Sequence, residues 1–139
     1  MTRERPDLAA MIGPLGRTLI ALEMPILQAR GLAMWAYAVL LHLGEQPVRT
    51  QAALADAIGA DKTRIIGVLD DLTARGLIER RPDPSDRRIR LVSITDEGRR
   101  LRDAAQAEIR SAEEELLRRL TPAERETFLS ALRKLSQDL

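Results

Sequence analysis

The sequence predicts a mainly α-helical domain of the α+β kind, in which several helices surround one β-hairpin. Three observations predict it. Apolar residues recur at helical spacing along most of the chain, and Thr or Asp stands where helices should start. A single pair of short Leu/Ile/Val-rich runs flanks a loop of turn formers. Aromatic residues make up only 2%, namely Trp35, Tyr37 and Phe128. That scarcity argues against an aromatic-rich sandwich or barrel and against a stacking platform for single-stranded nucleic acid. With 139 residues, 45% of them apolar, the chain is one domain's length and is not disordered throughout.

From Asp7 to Leu27 the apolar positions Leu8, Met11, Ile12, Leu15, Leu19, Leu22 and Ile26 predict a first helix. Gly13-Pro14 should kink it or start it at Pro14, and Pro25 should disturb its far end. Arg30-Gly31 is a break. Met34 to Leu43 has few polar positions, which predicts a helix buried on most sides and stopped by Gly44-Glu45-Gln46-Pro47. Thr50 should cap a short helix from Gln51 to Ile58 that turns Ala53, Leu54 and Ala57 inward. After Gly59-Ala60, Asp61 caps a helix to about Arg75, with Ile65, Val68, Leu69 and Leu72 on one stripe. Two short helices joined by a tight glycine turn form a helix-turn-helix pattern. Gly76 closes the second of them.

Leu77 to Arg81 and Arg88 to Ile94 predict two strands, joined by Pro82-Asp83-Pro84-Ser85-Asp86-Arg87, a longer loop than a tight hairpin needs. A helix-turn-helix followed by a hairpin with an extended tip is a winged helix. Thr95 then caps a helix whose first turn holds Asp96 and Glu97, which suits the positive helix end. Leu101, Ala105, Ile109, Ala112, Leu116 and Leu120 mark its stripe. About 24 residues make it roughly 36 Å long, more than so small a domain can cover. Thr121-Pro122-Ala123-Glu124 is a capping box with proline at the first helical position. It opens a last helix carrying Phe128, Leu132, Leu135 and Leu139.

Several functions are excluded. The absence of cysteine removes disulfides, thiol nucleophiles, cysteine redox sensing and thiolate metal sites. His42 is the single histidine, which removes a His-rich metal cluster or an intrachain histidine triad. There is no nucleophile–base pair, metal-ligand spacing or glycine-rich phosphate loop, so an enzyme is not expected, nor a metal or cofactor. No charged leader opens the chain and no apolar stretch approaches about 18 residues, which predicts a soluble cytoplasmic protein with no membrane partner. Net charge is +1, from 22 basic residues (20 arginines, Lys62 and Lys134) and 21 acidic ones. Lys62 to Arg90 nevertheless holds eight basic and five acidic residues, net +3, so the rest of the chain is −2.

The stretch from Asp61 to Gly98, DKTRIIGVLDDLTARGLIERRPDPSDRRIRLVSITDEG, resembles the multiple-antibiotic-resistance regulator (MarR) family. Three parts carry the resemblance together. They are the helix end Leu72, Gly76, Leu77, Ile78, Glu79 and Arg80, the loop P-D-P-S-D-R-R ending in Asp86, Arg87 and Arg88, and the exit Ile94, Thr95 and Gly98. The resemblance implies a homodimeric winged helix-turn-helix regulator of transcription, a repressor, with flanking dimerisation helices. It implies one domain over 1–139, with dimerisation helices at about 1–30 and 96–139 and a DNA-binding core at about 32–95. Twofold symmetry implies a pseudo-palindromic site on double-stranded DNA, with half-sites roughly 10 bp or a multiple apart.

Major-groove reading needs donors at the exposed start of a helix. Lys62, Thr63 and Arg64 occupy that first turn. Arg64 suits a bidentate contact to guanine, while Lys62 and Thr63 suit phosphates or a single base contact. Ile66 and Gly67 share the outward face, and Ile66 suits a thymine methyl. In the wing, Arg88 stands where the resembling family commonly places a minor-groove arginine. Asp86 should brace its guanidinium, and Arg87 suits a phosphate. Arg80, Arg81 and Arg90 should serve phosphates or fold back on carboxylates such as Asp70 and Asp71.

The resemblance also implies a small phenolic or aromatic acid effector held between the dimerisation helices and the winged helix. Arg17, Met24, Trp35, Tyr37 and His42 are the candidates, with Trp35 and His42 seven apart on one helix face. The alternative reading is a winged-helix protein-interaction module without specific DNA binding, favoured by the apolar Ile66-Gly67 pair.

Overall fold

The computed structural model describes residues 4–44 and 49–137. They run α1 (Leu8–Ala29), α2 (Met34–Leu43), β1 (Arg49–Thr50), α3 (Gln51–Ile58), α4 (Lys62–Ala74), β2 (Ile78–Pro82), β3 (Arg90–Ile94), α5 (Asp96–Leu117) and α6 (Pro122–Ser136). The expected stop at Glu45-Gln46-Pro47 and the apolar Leu139 lie outside the described residues.

Four helix starts form where short polar side chains satisfy otherwise unpaired N–H groups. Thr50 accepts from the Ala53 amide at 3.1 Å, Asp61 from Arg64 at 2.7 Å and Thr95 from Gly98 at 3.0 Å. At α6 the box closes both ways: Thr121 accepts from the Glu124 amide at 3.2 Å, and Glu124 accepts from the Thr121 amide at 2.9 Å. Helix α4 ends with Gly76 at φ +73°, the left-handed residue of a Schellman motif. There the Leu77 amide donates to Leu72 and the Gly76 amide to Thr73, each at 3.0 Å.

The sheet is three-stranded and antiparallel in the order β1-β3-β2. Ile78 pairs with Ile94 and Arg80 with Val92, which turns Ile78, Val92 and Ile94 onto the core. Strand β1 was not expected, because two residues carry no periodicity; it adds Arg49 opposite Val92 and Thr50 opposite Leu91. The core gathers Leu27, Leu32, Val39, Leu40, Leu43, Leu54, Ile65, Leu69, Leu72, Ile78 and Val92. Helix α2 lies at its centre, as its apolar sequence predicts.

Three expectations need correction. Helix α1 is continuous through Pro14 and Pro25. The carbonyls their rings deprive of a donor belong to Ala10 and Ala21, both exposed residues that water can reach. Helix α3 buries Leu54 and Ala55, while Ala53 and Ala57 face out. The helix is only eight residues long, and its orientation is set by docking on α2 and α4 rather than by alanine spacing. Finally, α1 is long and apolar enough to cross a membrane by length and composition, with a mean hydropathy of 1.3. Its charges are only Arg17 and Glu23, and interspersed Gly, Thr and Pro disguise the run.

The flanking helices leave much of their apolar surface open. Leu27 is the single buried residue of α1, and α6 has none. Helix α5 packs on α1 and α2, with Ala105 and Ile109 buried. Arg30, at the end of α1, pairs with Glu108 of α5, and Arg75, at the end of α4, donates to the Gly31 carbonyl at 2.7 Å. These contacts tie the flanking helices to the central core.

Candidate nucleic-acid interface

The first turn of α4 lies at the surface. Lys62, Thr63 and Arg64 are exposed, Ile66 is 49% exposed, and a Cβ at Gly67 would meet nothing within 4 Å. Burial of Ile65, Leu69 and Leu72 on the opposite stripe forces this face outward. The Arg64 guanidinium lies 5.7 Å from the centre of the Trp35 ring.

The wing tip is held by two aspartates. Asp83 accepts from the Ser85 amide at 2.9 Å and the Ser85 hydroxyl at 2.8 Å, and the Asp83 amide donates to Ile89 at 2.8 Å. Those bonds to Ser85 hold the Asp83 carboxyl below its usual range. Asp86 accepts from Arg88 Nε and Nη2, each at 3.1 Å, and from the Arg88 amide at 3.1 Å. The Arg88 side-chain bonds first, and then its amide, lower the Asp86 pKa, and the side-chain bonds to Asp86 raise that of Arg88. The Arg88 side chain is nevertheless 91% exposed, and three of its five N–H donors are left for another acceptor. The bracing expected from the sequence is thus present as a fork, and Arg87 is exposed beside it.

A cleft of about 490 Å³ joins the two parts, lined by Thr50, Gln51, Lys62, Ile65, Ile66, Arg88, Ile89 and Arg90. It brings the start of α4, the wing and the start of α3 to one side. The sequence reading missed Gln51 and the exposed Ile89. A Thr cap followed by a polar first helical residue was the available signal for Gln51. It also missed Asp83, whose role appears only once the loop is folded. Arg80 is drawn back onto Asp70 at 2.7 Å, whereas Arg81 and Arg90 are exposed. Among the described residues no group of three His, Asp or Glu side chains could hold a metal ion.

The five effector candidates lie on α1 and α2. Trp35 faces Arg64 of α4. Tyr37, two residues on and so on another face of α2, is 7% exposed. Burial raises its pKa first, followed by the charges of Glu23 and Glu113, with Arg110 and Arg102 opposing. Arg17 and Met24 are exposed on α1, and His42 is exposed near the end of α2.

An exposed donor-bearing helix start beside an arginine-tipped wing defines a winged-helix DNA-binding protein. The comparisons agree: a sequence profile of the MarR family matches residues 30–89. The chain is 36% identical to the transcriptional regulator HosA of Escherichia coli O111:H- over 71% of this chain and 73% of HosA. It is 31% identical to the HTH-type transcriptional repressor NicR of Pseudomonas putida KT2440 over 93% of this chain and 84% of NicR. The fold is also similar to CouR from Rhodococcus jostii RHA1 bound to p-coumaroyl-CoA. There the TM-score is 0.77 and the identity 30%, across 96% of this chain and 94% of CouR. The chain belongs to the MarR family of transcriptional regulators, which are not enzymes.

Proposed function

We propose that the protein is a homodimeric repressor of a pseudo-palindromic operator, acting in the cytoplasm and released by a small aromatic acid. The observation that carries this reading is the shared cleft, with Lys62 of α4 on one side and Arg88 of the wing on the other. Helix α4 enters the major groove and Arg64 reads a guanine, with Lys62, Thr63, Ile66 and Gly67 beside it. Arg88, braced by Asp86, enters the minor groove, and Arg87 meets a phosphate.

The chain works as one domain: helices within 1–30 and 96–139 dimerise and 32–95 contacts DNA. Exposed Leu8, Met11, Ile12 and Ile20 on α1 and Leu132 and Leu135 on α6 support this division. So does an apolar groove of about 660 Å³ lined by Leu15, Leu116, Leu117, Leu120 and Phe128. Repression is supported by the similarity to NicR, and a small-molecule effector by the similarity to CouR.

Selection from random duplexes with the purified protein tests the reading. A twofold-related motif, bound with strong salt dependence from released counterions, is the expected result. Recovery of no motif would favour the protein-interaction module, for which the exposed Ile66 beside open Gly67 is the specific support. Titrating the protein with salicylate-like compounds tests the effector. Loss of operator binding is expected, and retention across a broad panel would remove that part.

A further inference from the structure

We propose that Trp35 is a positioning residue for base recognition, its indole holding the Arg64 guanidinium ready for the DNA; this rests on the reading of α4 as the major-groove helix. Trp35 lies on α2, inside the protein's central helix, and no part of it belongs to the helix-turn-helix or the wing. The guanidinium sits 5.7 Å from the ring centre, within the range of a cation–π attraction. Tryptophan provides the strongest such face among the side chains.

The choice of partner matters chemically. At the wing, Asp86 engages Arg88 through Nε and Nη2, so those donors are lost to DNA. A ring face attracts the Arg64 charge without accepting from its N–H groups through a lone pair. All the in-plane donors, and the full positive charge, therefore remain available for a bidentate contact to guanine. Arg64 is otherwise an exposed, long side chain at the tip of a helix, and ordering it on binding would cost affinity. Trp35 restricts it beforehand. Because α2 is fixed in the core by Val39, Leu40 and Leu43, the restraint is anchored to a rigid element.

Trp35 is the single tryptophan, so the contact can be followed without DNA. In the full-length protein, Arg64→Ala should increase acrylamide quenching of tryptophan emission, because the ring face is uncovered. Unchanged quenching would overturn the contact.

The functional test uses the operator recovered by selection and a scrambled duplex of equal length. Trp35→Ala should weaken operator binding about two- to fivefold and leave the scrambled duplex unaffected, while Trp35→Phe restores most of the loss. In an Arg64→Ala background, Trp35→Ala should have no further effect. An equal loss on both duplexes, a failure of phenylalanine to restore, or an undiminished loss without Arg64 would each make Trp35 merely structural and overturn the proposal alone. If Arg64→Ala itself leaves the operator-to-scrambled ratio unchanged, Arg64 reads no base, and the major-groove assignment falls together with the proposal.

Discussion

At the wing tip, Asp86 and Arg88 form a fork that costs the arginine two donors yet leaves its side chain 91% exposed. The carboxylate fixes the direction of the guanidinium, and the loop bonds of Asp83 fix the carboxylate's own segment. Arg88→Ala is therefore expected to weaken operator binding by about ten- to a hundredfold while the dimer persists. A gel shift at fixed salt checks this, and equal affinity of variant and parent would remove the wing from the interface. A second residue carries a pH dependence. Burial, and then the charge of Glu113, raise the Glu23 carboxyl above its ordinary 4.5. The folded protein thus holds that proton more tightly than the unfolded chain, and stability falls as pH climbs from 4.5 through the raised value. Glu23→Gln removes the ionised form. Its melting temperature should exceed the parent's at pH 7, and the difference should vanish in melts at pH 4.

Among the elements, the junction of β3 with α5 explains why the Ile94-Thr95-Gly98 pattern needs glycine. Thr95 caps α5 through Gly98, and its hydroxyl also donates to the Gly76 carbonyl at 2.7 Å. This draws the helix start against the end of α4. A Cβ on Gly98 would lie 2.1 Å from the Leu77 carbonyl oxygen and 2.8 Å from Ile94 Cγ1. Backbone and a buried strand residue cannot both yield, so Gly98→Ala should destabilise the fold by about 3 kcal/mol. Urea unfolding measures it, and a loss below about 1 kcal/mol would mean that the junction relaxes. The same junction sets the wing against α4, since β2 begins directly after Gly76 and Leu77. Elements with strong local signals were legible in the sequence: four caps and the Gly76 stop stand where expected, and the hairpin is present with its second strand beginning at Arg90 rather than Arg88. Elements without such signals were not. Strand β1 is two residues paired to β3, and the inward face of α3 is decided by its neighbours.

For the molecule as a whole, the distribution of apolar surface separates a closed centre from open flanks. Helix α2 buries Ala36, Tyr37, Val39, Leu40 and Leu43, and the strands bury Ile78, Val92 and Ile94, whereas Ile12 is 55% and Leu135 68% exposed. A self-associating chain would cover these residues by twofold packing of α1 and α6. The paired substitution Ile12→Glu with Leu135→Glu should convert a dimer to a monomer in sedimentation equilibrium. It should also abolish tight operator binding, because two half-sites are no longer held by one body. A dimer unaffected by both charges would place the interface elsewhere.

By itself the sequence determined the order of helices and hairpin, the caps that begin them and the outward face of Lys62, Thr63, Arg64, Ile66 and Gly67. These follow from local hydrogen bonding and from the stripe of Ile65, Leu69 and Leu72, all read within a few residues. It also carried the Asp86–Arg88 fork, because the partners are two residues apart. Only the tertiary structure decided what lies between distant segments. It turned Trp35 toward Arg64 and buried Tyr37. It carried α1 unbroken through two prolines and drew Arg80 onto Asp70. The physical reason is the same in each case: periodicity fixes the face on which a side chain emerges, and packing fixes what that face meets.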